Sequence, residues 1–215
     1  MVALSCSACS GPEPPLAVPR PEDVVDFWTL YSQNCSACHG QNGQNGPALD
    51  LANAVYQGIV DDASLRKWIT SSMPGTEMPA FGESAGGFLT DRQVEALVEG
   101  MRRNWARADL SQAQAPPYTT NLRGDGRSGE QIYKGACLSC HQKPNERISN
   151  TSYLALMSEQ GLRTITIAGR PDLGHPDWRQ DRPGQPLTNE DVTNVVAYLT
   201  SLRSATPGQP YPRQP

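Results

Sequence analysis

The sequence predicts an all-α protein built from two similar halves in tandem. Three observations predict it. The segment Cys-x-x-Cys-His occurs twice, as Cys35-Ser-Ala-Cys38-His39 and Cys137-Leu-Ser-Cys140-His141. Each copy has a short helix-like stretch before it and, well after it, a longer stretch with apolar residues at helical spacing. Between the halves lies Gln112-Ala-Gln-Ala-Pro-Pro117, a linker composition.

The first half opens at Pro21, suited to a first helical turn, with Glu22 and Asp23 suited to the positive end of a helix dipole. Val24, Phe27 and Tyr31 keep helical spacing up to Cys35. A long loop is expected after the motif. Thr90-Asp-Arg-Gln93 then reads as a capping box, opening a helix whose stripe is Val94, Leu97, Val98 and Met101 and which ends near Trp105. In the second half Ser128 is the expected N-cap before Ile132, Tyr133 and Cys137. Thr188 caps the closing helix, with the stripe Val192, Val195, Val196 and Leu199. These stripes are core, and Tyr198 is expected to pack with them. The expected units are 1–20 (leader remnant and Pro-rich tether), 21–105, 106–125 (linker), 126–203 and 204–215 (Pro-rich tail).

Composition limits what such halves can be. The chain has 215 residues, enough for one large domain or two small ones. Gly and Pro number 19 each, hydrophobic residues are 37% and aromatics 7%, a thin supply for two cores made of protein alone. Domains this small and this poor in aromatics need disulfides, a metal or a large cofactor. The net charge of −4 argues against nucleic acid as a partner. No apolar stretch approaches the roughly 18–20 residues that span a bilayer.

The six cysteines fall into three Cys-x-x-Cys pairs, and two of the chain's three histidines directly follow two of those pairs. Cys-x-x-Cys-His is the attachment motif of c-type haem. Each thiol adds across one haem vinyl group, and the three-residue step places both sulfurs on one face, about one helical turn apart. The following imidazole binds the iron as proximal ligand. A zinc site made from two pairs 102 residues apart leaves both histidines unexplained. A thioredoxin-like redox pair requires a βαβ setting, which the sequence lacks.

With these motifs in place, residues 21–105 and 126–203 each resemble a class I c-type cytochrome domain, and the pair resembles diheme cytochromes of the c4 kind. The resemblance implies two covalent haems c, held by Cys35, Cys38 and His39 and by Cys137, Cys140 and His141. It implies a methionine ligand in a Met-Pro-Ala-aromatic loop. Met78-Pro-Ala-Phe81 matches, 39 residues beyond His39, with Met73 as rival because it also precedes a proline. Gly46-Pro47-Ala-Leu49 resembles the family's Gly-Pro-x-Leu loop, whose proline carbonyl accepts a hydrogen bond from the proximal imidazole.

The second half departs from the pattern. In Gly169-Arg170-Pro-Asp-Leu-Gly174-His175-Pro176-Asp-Trp178, histidine stands where the family carries methionine. His175 lies 34 residues past His141, and the sole methionine after the second motif, Met157, follows by 16 and is expected in a helix. Haem 2 therefore reads as bis-histidine, the alternative being a five-coordinate iron. Arg170 reads equally well as a propionate partner or as a solvated loop charge.

Haem c attachment outside the cytoplasm implies export, and the periplasmic side of a bacterial membrane is the expected location. Met1 to Cys9 is too short for a signal peptide, so the expected start lies upstream or the leader is truncated. Cys9, or less well Cys6, precedes a Ser/Gly/Pro-rich spacer as a lipidated lipoprotein start does, the rival readings being a Cys6–Cys9 disulfide or a leader remnant. Residues 21–105 carry 11 acidic and 5 basic side chains, against 8 and 9 in residues 126–203, an asymmetry suited to two different docking partners or simply to solubility.

The expected function is electron transfer without substrate chemistry. The partners would be a quinol-oxidising complex, a photosynthetic reaction centre or a terminal oxidase. The alternative is a diheme enzyme, peroxidase-like or thiosulfate-oxidising, or a haem-based ligand sensor, each of which needs an open iron site.

Overall fold

The computed structural model describes residues 18–107, 115–142, 148, 150–180 and 184–208. The expected tether with Cys6 and Cys9, residues 108–114 of the linker and the tail from residue 209 lie outside the described residues. The first half contains α1 (Phe27–Asn34), α2 (Ser36–His39), α3 (Ala54–Ile59), α4 (Asp62–Ser71) and α5 (Asp91–Trp105). The second contains α6 (Gly126–Ile132), running into a π-turn at Tyr133–Cys137, then α7 (Thr151–Ala155), α8 (Glu159–Ala168) and α9 (Asn189–Ser201). Among the described residues β-pairing is limited to two isolated bridges, Gly82 with Leu89 and Arg170 with His175.

Local chemistry explains most helix ends. Both closing helices start with a full capping box, Thr90 with Gln93 and Thr188 with Asp191. Two expected starts are displaced. The first helix begins at Phe27, because the Asp26 carboxylate accepts from the Thr29 backbone N–H; Pro21–Asp23 forms a separate 3-10 turn and Val24 is extended. In the second half Asp125 is the cap and Ser128 supplies the N–H that it accepts. The expected long loops after the motifs contain helices, α3 and α4 in one half and α7 and α8 in the other. Met157 sits between α7 and α8 rather than in a helix.

In each half the entry helix crosses the closing helix at a glycine. A Cβ on Gly100 of α5 would stand 2.1 Å from the Phe27 ring of α1, and one on Gly129 of α6 would stand 2.0 Å from the Asn194 carbonyl of α9. Phe27, Trp28, Tyr31 and Trp105 meet edge-on or tilted around the first crossing, while Tyr133 and Tyr198 pair at the second, with centroids 5.4 Å apart.

The halves join through α3, which packs on α8, and through the end of the linker. Tyr118 is buried, its ring against Tyr56 and its hydroxyl accepting from the Trp68 indole N–H at 3.0 Å. Arg163 of α8 is 4% exposed and spends its donors on neutral groups: the Pro117 and Tyr118 carbonyls, Thr193 and Asn189. The Asn53 amide donates to the Ala168 carbonyl at 2.8 Å, again between halves. Pro116 and Tyr118 of the expected linker are thus core, while residues 121–125 are exposed.

Helices α4 and α8 are both ten residues long and end in one backbone shape, Ser72 at φ 70°, ψ 164° and Gly169 at φ 70°, ψ −171°. That region is essentially reserved for glycine. Ser72→Gly releases strain of about 1–3 kcal/mol against about 0.5–1 kcal/mol of added chain entropy, so denaturant unfolding should show a net gain of about 1 kcal/mol. Gly169→Ser should destabilise by more than Ser72→Gly gains, because its Cβ would also stand 2.2 Å from the Pro176 carbonyl oxygen.

Candidate haem centres

Both Cys-x-x-Cys-His segments form a helical turn. His39 ends α2, with Cys35 as the preceding cap, and the His39 and His141 amides donate to the Cys35 and Cys137 carbonyls at 3.0 and 3.1 Å. Among the described residues none of the four motif cysteines forms a disulfide; Cys38 and Cys140 are exposed, Cys35 and Cys137 half-buried. Burial first, then the neighbouring Cys38, pushes the Cys35 thiol up to about 12. Among the described residues no three His, Cys, Asp or Glu side chains converge on one point, so the two pairs do not form one metal site.

His39 is oriented by a backbone acceptor. Its Nδ1 lies 2.7 Å from the Leu49 carbonyl oxygen. A carbonyl can only accept, so Nδ1 carries the proton and Nε2 is left with its lone pair. The expected acceptor was the Pro47 carbonyl; the loop instead turns so that Leu49, two residues on, reaches the ring. The loop is fastened from below by the Ala48 amide, which donates to the Cys38 carbonyl at 2.9 Å, and by Tyr31, whose hydroxyl donates to the Gly40 carbonyl at 2.8 Å. Burial lowers the His39 pKa, the Arg170 guanidinium acts in the same sense, and the Leu49 hydrogen bond opposes them.

The opposing loops follow Ser72 and Gly169. Counted from these two residues, Met73 and Arg170 share a position, as do Met78 and His175, and Phe81 and Trp178. The hydrogen bonds keep that register. Phe81 donates its amide to the Ile69 carbonyl and accepts at its own carbonyl from Leu89; Trp178 donates to Ile167 and accepts from Leu187. Leu89 and Leu187 each immediately precede the capping threonine of the closing helix. The aromatic residue is thus clamped between two helices, and Met78 or His175 stands three residues before it.

Met73 and Met78 are separated by their surroundings. The Met73 sulfur accepts from the Ser158 hydroxyl of the second half at 3.7 Å. Met78 is partly buried and packs against the hydrophobic core. In the second half the His141 and His175 rings lie with centroids 5.9 Å apart and planes tilted by 40°. Two imidazoles on opposite sides of one ion, at metal–nitrogen distances of about 2.0–2.1 Å, have centroids roughly 6 Å apart. The His175 Nδ1 is buried with no hydrogen-bond partner among the described residues. Burial first, then the neighbouring His141, holds the His175 pKa below its ordinary value, so the ring is neutral. The donor set and its spacing fit an iron porphyrin.

Arg170 is not a solvated loop charge. It forms a fork with Asp172, at 2.9 and 2.8 Å, and donates to the Gly46 carbonyl of the first half at 2.9 Å. Sequence reading missed Asp172, whose other role is to accept from the Asn45 amide at 2.9 Å. It also missed Asp50, which is 3% exposed beside this cluster with one carboxylate oxygen unpartnered among the described residues. A signal was present: Pro171 is flanked by Arg170 and Asp172, whereas Pro74, at the same place in the first half, is flanked by Met73 and Gly75.

An imidazole beside a cysteine pair, faced by a clamped loop donor inside a small helical unit, defines a c-type cytochrome domain, and the chain holds two. The family described as cytochrome c oxidase, cbb3-type, subunit III matches residues 22–99 and, a second time, residues 124–199. The chain belongs to this cbb3-type cytochrome c family and is a diheme c-type cytochrome with two covalently bound haems c. No curated protein matches the chain. Among solved structures it is similar to the KustC0563 c-type cytochrome, with 32% identity over 36% of this chain and 95% of that one and a TM-score of 0.32. It is similar to a chain of the Kuenenia stuttgartiensis reducing HAO-like protein complex Kustc0457/Kustc0458, with 16% identity over 87% of this chain and all of that one and a TM-score of 0.48. Dihydro-heme d1 dehydrogenase NirN shares 26% identity over 43% of this chain and 17% of its own length, with a TM-score of 0.31.

Asp50 yields a pH prediction. Burial first, then the neighbouring Asp172, raises its pKa from 3.8 to about 6, against the opposing pull of Arg170. A carboxyl raised in the folded state lowers stability as pH rises, because the unfolded chain ionises first. Asp50→Asn should therefore match the wild type in Tm below pH 3.8 and exceed it by a growing margin up to about pH 6, above which the margin stays constant.

Proposed function

We propose that the chain is a one-electron carrier, not an enzyme, whose two irons are closed on both faces by its own side chains. Haem 1 would be attached through Cys35 and Cys38 and ligated by His39 and Met78. Haem 2 would be attached through Cys137 and Cys140 and ligated by His141 and His175. The observation that carries this reading is the close pair His141 and His175, 5.9 Å apart at the one loop position where the family motif is broken. An open iron, which a peroxidase or a gas sensor requires, has no place between two such rings. The haems supply reversible one-electron chemistry between ferric and ferrous iron.

The chain's own residues set what that chemistry is worth. Leu49 holds the His39 Nδ1 proton and so directs Nε2 to the iron. Phe81 and Trp178 fix the two distal loops, so neither ligand has to be ordered when the oxidation state changes. Imidazole favours ferric iron relative to thioether sulfur. Haem 2 therefore sits below haem 1, and electrons enter at the second half and leave from the first. The acidic first half, net −6, offers a basic redox partner a docking face. Quinol-oxidising complexes, reaction centres and terminal oxidases are the partner classes this reading admits. Attachment of haem c would put the carrier on the periplasmic side of a bacterial membrane, and a lipidated Cys9 or Cys6 would tether it there. No helix among the described residues is long and apolar enough to cross a membrane.

A potentiometric titration tests the assignment. Two separated one-electron waves are expected. His175→Met should move the lower wave upward and narrow the gap, while Met78→Ala should open haem 1 to CO and Met73→Ala should not. A lower wave that ignores His175→Met, or CO binding produced by Met73→Ala instead, overturns it.

A further inference from the structure

The charged pair Arg170 and Asp172 has no counterpart in the first half. Counted from Ser72 and Gly169, Met73 stands at the position of Arg170 and Gly75 at that of Asp172. The first loop turns and closes without them, so the turn itself does not need the pair. Yet the pair is buried, with side chains 9% and 1% exposed. A buried ion pair is poor evidence for stability alone. What the pair touches gives it another role.

Arg170 reaches both ligand loops. Its backbone N–H donates to the His175 carbonyl at 3.0 Å, and its carbonyl accepts from the His175 N–H at 3.0 Å. Its guanidinium donates to the Gly46 carbonyl across the interface at 2.9 Å. Gly46 in turn lies against the first motif: a Cβ there would stand 2.6 Å from the His39 carbonyl carbon and 2.3 Å from the Cys38 oxygen. Asp172 grips both sides, taking the Arg170 fork and the Asn45 amide. One side chain therefore links the segment carrying His39 to the segment carrying His175 through two hydrogen bonds and one packed backbone contact.

We propose that Arg170 and Asp172 are positioning residues for electron exchange between the two halves, a strap that fixes the His175 loop against the His39 loop and supplies the bonded route between them. This rests on the ligation proposed above. The step is the passage of one electron from ferrous haem 2 to ferric haem 1, with no bond made or broken and no proton moved. Exchange between fixed centres depends on their separation and on the continuity of the intervening bonds. Arg170 controls both, because guanidinium, unlike ammonium, can hold a carboxylate in a fork and a carbonyl at the same time.

The test uses the full chain with both haems. Arg170→Met alone would leave Asp172 buried without its partner and endanger the fold. Arg170→Met with Asp172→Gly removes the strap at unchanged net charge and gives both positions the residues found at the matching places in the first half, Met73 and Gly75. Hydrogen exchange at the Asn45 amide reports whether the strap is released. Injection of one electron, followed optically, reports the rate at which it redistributes between the haems. The double variant should show faster Asn45 exchange, unchanged low-spin ferric spectra and a redistribution rate lower by about tenfold or more, the scale on which small displacements of reacting centres act. Arg170→Lys, which keeps the charge and loses the fork, should fall with it. An unchanged rate after Asn45 is released makes the pair a fold contact and overturns the proposal. A rate loss that appears only together with an altered haem 2 spectrum overturns it too, because Arg170 would then act through ligation. A high-spin haem 2 in the wild-type protein overturns the ligation reading itself, before any variant is made.

Discussion

Two axial donors must be held on opposite faces of a flat ring, and neither can be held by the segment that carries it. This requirement organises both halves. The Cys-x-x-Cys-His turn delivers one imidazole at the end of a short helix, too brief to be stable in isolation. The opposing donor comes from an irregular loop. Each therefore borrows rigidity: His39 from the Leu49 carbonyl, and the distal loops from Phe81 and Trp178, pinned between α4 and α5 in one half and α8 and α9 in the other. The helices crossing at Gly100 and Gly129 bring those clamps to the right places. With few aromatics and much glycine and proline, the chain leaves the remaining space to the haem.

Duplication of one plan makes the differences informative. The distal loops share the backbone shape of their first residue and an aromatic clamp nine residues on, and differ at positions between the two. Met78 becomes His175, which under the proposed ligation would alter the preference of the iron. Met73 becomes Arg170, and the contact between halves changes from a weak Ser158–sulfur approach to a hydrogen bond on the Gly46 carbonyl from a guanidinium that Asp172 holds. The halves are thus alike where the fold requires it and unlike where they meet. Arg163 and Tyr118 seal the same seam from the other side, using neutral acceptors around a buried cation.

Features governed by local rules were legible in the sequence. The capping threonines at 90 and 188, the stripes of α5 and α9 and the two attachment turns involve residues within a few positions of each other. Where two side chains competed for one role, the sequence was less decisive: Asp125 outranked Ser128 as a cap because its carboxylate can accept from the Ser128 amide. Helices α3, α4, α7 and α8 were not read from the sequence, although Asn53, Asp61, Asn150 and Ser158 cap them locally. The seam was hidden for a physical reason. Tyr118, Arg163, Asp50 and Asp172 gain their meaning from partners dozens of residues away, and in sequence they look like ordinary linker and loop residues. The same applies to Leu49, whose carbonyl displaced the expected Pro47 because loop geometry, not motif spacing, decides which oxygen reaches a ring.

The claim that both irons are closed, one by sulfur and one by a second imidazole, is tested most directly by low-temperature EPR with near-infrared spectroscopy on the fully oxidised wild-type protein. The account predicts two low-spin ferric signals in equal amounts, with a single near-infrared iron–sulfur band of one-haem intensity. Two methionine-type signatures, or a high-spin signal amounting to one haem, would contradict it.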